Sequence, residues 1–132
     1  MVDAELNFTR CFGWGIVIVR DADSRDMPVE PAVASAIAVA SGTAVVVNVL
    51  HASDATLDEN PAQVTIEAFL GPAPTDRIDF RADLSITSGK VVIGDAEDEA
   101  ELALAPGLWR LAVQAHPVAY PELVRLWFER LK

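Results

Sequence analysis

The sequence predicts an all-β chain, a single-domain antiparallel β-sandwich over residues 1–132. Three observations carry that reading. Apolar and polar residues alternate with period two through most of the chain. Clusters of Gly, Pro, Ser and Asp recur every eight to twelve residues or so, at the spacing of turns between short strands. The content of 52% apolar residues is enough to fill one core, and neither a repeat of fixed period nor a low-complexity linker divides the chain. About eight strands are expected, joined by hairpin or Greek-key connections.

Taken in order, Leu6, Phe8, Arg10 and Phe12 share one parity of a first strand. Gly13-Trp14-Gly15 then opens a second, at 16–19, that is apolar on both parities. Residues 21–31 are charged and punctuated by Pro28 and Pro31, the composition of a solvated loop. Positions 31–50 carry no Asp, Glu, Lys or Arg and are rich in Ala and Val, long enough for a membrane-spanning helix. Ser41-Gly42-Thr43 at the centre, Asn48 near the end and acidic flanks weigh against that span. A buried hairpin of residues 36–40 and 43–47 is expected instead, turned at Ser41-Gly42 with Gly42 supplying a positive φ.

Residues 51–61 are polar again, and 63–69 form a half-buried strand with Val64, Ile66 and Ala68 on its dry face. Gly71-Pro72-Ala73-Pro74 breaks the pattern. The clearest alternation follows: Ile78, Phe80, Ala82, Leu84 and Ile86 against Arg77, Asp79, Arg81, Asp83 and Ser85. Ser88-Gly89 turns into Val91-Val92-Ile93, an acidic loop is expected over 95–101, and Leu102-Ala103-Leu104 leads as a short strand to a Pro106-Gly107 turn. Trp109, Leu111 and Val113 then oppose Leu108, Arg110 and Ala112. At the C-terminus, Val124, Leu126 and Phe128 fit a strand, which we prefer; a short helix starting near Pro121 is the alternative.

Twenty acidic against ten basic residues give a net charge of −10. Such a field repels polyphosphates, so no nucleic-acid partner is expected and a basic protein is favoured. The charge is uneven: residues 54–101 hold 12 acids and 3 bases, residues 102–132 hold 2 acids and 4 bases. Asp95, Glu97, Asp98, Glu99 and Glu101 are therefore the candidate binding residues, as an anionic patch that steers a cationic partner. Their spacing lacks the alternate ligands and internal glycine of a calcium loop, and no metal is expected. Trp14, set between two glycines, is the candidate exposed anchor of an interface.

His51 and His116 have no second His or Cys at metal-ligand spacing. No nucleophile elbow, P-loop or dinucleotide fingerprint occurs, so no cofactor is expected and a non-enzymatic protein is the preferred reading. Cys11 is read as a structural thiol. One cysteine and two acids in the first five residues predict a cytoplasmic chain without a signal peptide.

Ser88-Gly89 before Val91-Val92-Ile93-Gly94, followed by Leu102-x-Leu104-x-Pro106-Gly107-x-Trp109-Arg110 and a closing strand, resembles small bacterial β-sandwich proteins related to competence protein J, an inhibitor of a competence nuclease. The resemblance covers residues 60–130. It implies an intracellular, non-catalytic protein that binds another protein, an acidic surface suiting a basic nuclease. Two other readings stand beside that inhibitor or immunity-type protein. One is a small-ligand-binding or enzymatic sandwich using a His and carboxylate pocket. The other is a structural subunit that self-assembles as a homo-oligomer through the edge of its Ala/Val hairpin.

Overall fold

Ten strands make two five-stranded sheets in the computed structural model, which describes residues 4–12, 15–25, 38–49, 63–74, 77–116 and 121–132. They are β1 (Leu6–Arg10), β2 (Ile16–Asp21), β3 (Ala38–Ala40), β4 (Ala44–Asn48), β5 (Val64–Leu70), β6 (Phe80–Ile86), β7 (Lys90–Gly94), β8 (Glu99–Ala103), β9 (Gly107–His116) and β10 (Leu123–Arg130). The first sheet has the order β1-β5-β10-β9-β6, the second β3-β4-β2-β7-β8. The fold class expected from the alternation is the one observed. The count exceeds the expected eight, with two short edge strands, β3 and β8, completing the second sheet. β3 is three residues long, and β8 lies within the acidic run, where an edge strand tolerates charge on its solvated side.

The main core takes side chains from both sheets, among them Val17, Val19, Val45 and Ile93 from the second and Ile66, Leu84, Leu111 and Phe128 from the first. Strands apolar on both parities have a second use for the extra side chains. Ile16, Ile18 and Val46 form a separate buried cluster on the outward side of the second sheet. No helix among the described residues is long and apolar enough to cross a membrane, and residues 38–49 of the Ala/Val stretch are strands β3 and β4 with their turn.

One local expectation is corrected, and at the C-terminus the preferred strand is the one observed. Gly42 is not among the positive-φ glycines; the β3–β4 turn is held instead by Ser41, whose Oγ accepts the N–H of Thr43 at 3.3 Å and of Ala44 at 3.2 Å. The C-terminal segment is a strand throughout, paired on both sides by β5 and β9, so ladder formation overrides the helix signals near Pro121.

One pairing is parallel: β10 runs with β5, at Leu123↔Thr65 through Phe128↔Leu70, while the other pairs are antiparallel. β10 is antiparallel to β9 and β9 to β6, so β5 and β6 point the same way. In the sheet β10 and β9 lie between them, so their connection joins strands on opposite sides of that pair. It leaves where Gly71 N–H donates to Phe128 O and arrives where Asp79 N–H donates to Val113 O.

Candidate functional site

The acidic run is built on the β7–β8 hairpin, and its loop is four residues, 95–98, shorter than expected. Asp95 makes the turn. Its Oδ1 accepts the N–H of Glu97 at 3.0 Å and of Asp98 at 3.3 Å, and its own N–H donates to Asp98 O at 3.0 Å. A short carboxylate is suited to bonding the backbone two residues on. A Cβ on Gly94 would overlap Asp98 O, so glycine is what lets the loop fold back onto the strand.

Asp95 is only 3% exposed, so the first of the five expected patch carboxylates is buried. Arg10, the last residue of β1, supplies the counter-charge. It donates to Asp95 Oδ1 at 2.5 Å, to Asp98 O at 2.7 Å and to Cys11 O at 3.0 Å, and lies 4.1 Å over the Phe12 ring. Asp95 Oδ2 is buried with no hydrogen bond among the described residues. This carboxylate builds the loop and joins the two sheets.

The remaining acids face outward. Glu99 on β8 accepts from Arg20 of β2 at 2.9 and 3.2 Å, and Glu101 accepts from Lys90 of β7 at 3.0 Å. Exposed pairs of this kind add little stability. Asp98 Oδ1 accepts Glu99 N–H at 2.9 Å, whereas Glu97 has no side-chain partner among the described residues. All five carboxylates, joined by Asp23 after β2, line one depression of about 590 Å³ on the outward side of the second sheet. Arg20 and Lys90 are the cations among its lining residues, and six carboxylates outweigh them.

Asp21, at the end of β2, is the other buried carboxylate, 2% exposed. Its Oδ1 accepts Ser88 Oγ at 2.5 Å and Ser88 N at 3.2 Å, and its Oδ2 accepts Thr87 Oγ1 at 2.8 Å. Burial works to raise its pKa; the hydrogen bonds from Ser88 and Thr87 more than reverse that and hold it below the ordinary carboxylate value. It pins the crossing from β6 in one sheet to β7 in the other.

Trp14 and His51 lie outside the described residues. His116 ends β9, exposed, beside a hollow of about 240 Å³ lined by Arg77, Gln114 and Arg125, with no carboxylate among the described lining residues. A His and carboxylate pair is not assembled there. Cys11 is partly exposed. No cluster of His, Cys, Asp or Glu among the described residues has the form of a metal site.

Sequence reading missed Arg10, Arg20, Lys90 and Asp23 as members of this region. The two arginines lie 85 and 79 residues from the carboxylates they meet, and only sheet packing joins them. Lys90 had a findable signal, because a Ser88-Gly89 turn before it and an acidic strand after it predict a cross-hairpin charge pair.

No family model matches the chain, and no curated protein matches it in sequence. Two solved structures match it in fold. One is described as ComJ, inhibitor of the DNA degrading activity of NucA, from Bacillus subtilis: TM-score 0.70 at 13% identity, covering 99% of both chains. The other is described as Crocagin biosynthetic gene J, with TM-score 0.50 at 13% identity, covering 94% of this chain and 95% of that one. The likeness suggested by the Pro106-Gly107-x-Trp109-Arg110 segment is thus met along the whole chain, and at such identity it is a likeness of fold.

Proposed function

We propose that this chain is a non-enzymatic binding protein of the inhibitor or immunity type, which docks a basic protein, a nuclease foremost, onto the acidic depression of the second sheet. The carrying observation is the convergence of Asp23, Asp95, Glu97, Asp98, Glu99 and Glu101 on one concave surface. A nuclease holds its substrate with cations arranged for phosphates, and a rigid array of carboxylates competes for the same cations. The likeness to a structure described as a nuclease inhibitor supports this reading.

The carboxylates have different tasks. Glu97, Asp98 and Asp23 make the contacts, Asp95 shapes the loop, and Glu99 and Glu101, already paired with Arg20 and Lys90, add to the field. Trp14 supplies an aromatic anchor in the same reading, and the single cysteine suits a cytoplasmic setting.

The test is capture from lysate of the source organism at low and at high salt, with wild-type chain and with the Glu97→Gln/Asp98→Asn variant as baits. A basic nuclease retained at low salt, released by salt, weakly held by the variant and silenced on DNA by added chain is the expected result. Retention of no nuclease, or of one whose DNA degradation is unaffected, overturns the proposal.

A further inference from the structure

We infer that the outward side of the first sheet holds a second site, a hollow for a small organic anion with a flat apolar body, formed where the β5–β6 connection sets out across the sheet. It is about 340 Å³, the lower end of the size range of small-molecule sites. Its origin is in the register. Arg81, Ala112, Trp127 and Phe69 stand in one cross-strand row over β6, β9, β10 and β5. Ala112 contributes only a methyl between the two large neighbours, and the hollow lies over it. Gly71, Pro72 and Ala73, at the start of the connection, wall the hollow on one side.

The floor is rigid and aromatic. Trp127 is 7% exposed and stacked on Phe69, with ring centroids 5.1 Å apart and 14° between planes. The small exposed part of the Trp127 ring gives a ligand an apolar contact without ordering a mobile side chain. The mouth is cationic. Arg81 is exposed and has no hydrogen bond or ion pair among the described residues. Among the described residues Arg110 has only a long pairing, 3.5 Å, to Asp83, with both side chains about half exposed. Two planar guanidinium groups at one rim match a carboxylate or phosphate. Glu129, also at the rim and across from Arg110, offsets one of them, so a singly charged acid is favoured over a dianion. The site lies on the opposite sheet from the acidic depression and stands or falls independently of it.

Benzoate, acetate and inorganic phosphate are the probes, followed by the Trp127 indole N–H resonance in ¹H–¹⁵N spectra, assigned with Trp127→Phe. Benzoate is expected to shift that resonance saturably, with an affinity on the order of 1 mM, and acetate and phosphate to shift it far less. Ala112→Met fills the hollow without touching charge, and Arg81→Ala removes an unpaired guanidinium. Each is expected to weaken benzoate about tenfold while leaving the rest of the spectrum native. Glu129→Gln is expected to tighten it. No saturable benzoate shift, phosphate acting as strongly as benzoate, or equal binding by natively folded Ala112→Met would overturn the assignment.

Discussion

Asp21 and Asp95 are the buried charged side chains among the described residues, and each fastens one sheet to the other. Arg10→Ala strips Asp95 of its counter-ion and leaves a buried charge, a change expected to cost about 3 kcal/mol of stability in urea unfolding. Arg10→Lys is expected to recover part of it, since an ammonium keeps the charge and loses the fork that reaches Cys11 O from one nitrogen and Asp95 and Asp98 from the other. Asp21 adds a pH signature. Its folded value is depressed, so its contribution is complete above the unfolded carboxylate value and is lost as pH falls through the folded one. Asp21→Asn is therefore expected to be less stable by about 1–3 kcal/mol near neutrality. The gap from wild type should begin to close as pH falls through the ordinary carboxylate range and go on closing until the folded carboxylate, held below that range, protonates. Thermal unfolding of both proteins across that range checks it.

The β7–β8 hairpin shows how an element converts residue chemistry into a surface. Alternation made β6 and β5 legible because one face of each is dry and the other wet. The same logic misjudged the acidic run: Leu102 is inward on β8, but Glu99 and Glu101 on the outward face mask the strand. Gly94→Ala forces a methyl against Asp98 O, and Gly107→Ala, at φ 151°, brings one against Lys132 O. Each is expected to cost about 2 kcal/mol or more by thermal unfolding. Gly42→Ala, in open space and without a positive φ, is expected to be close to neutral.

At the scale of the molecule the two outward faces differ in charge. The second sheet gathers carboxylates, and the first carries Arg81, Arg110 and Arg125 around Trp127. The acidic face is expected to govern association rate. Neutralising Asp23, Glu97 and Asp98 together should slow binding to a basic nuclease about tenfold at low salt, with little change at high salt, in stopped-flow or surface-binding kinetics. None of the three holds a core contact, so the variant is expected to keep the native circular dichroism.

Sandwich class, most strand positions and the acid-rich segment were determined by the sequence alone, because period-two burial and turn chemistry are local. Val64, Ile66 and Ala68, or Trp109, Leu111 and Val113, announce their faces without reference to any partner strand. Tertiary structure alone decided which carboxylates are structural and which are available. Asp95 and Glu97 look alike two residues apart, and only the arrival of Arg10 from the other sheet buries one and leaves the other in water. The parallel pairing of β5 with β10, and the hollow that follows from it, were likewise beyond local pattern. A strand's neighbour is set by the packing of the whole sheet, and the interactions that choose it act between residues tens of positions apart.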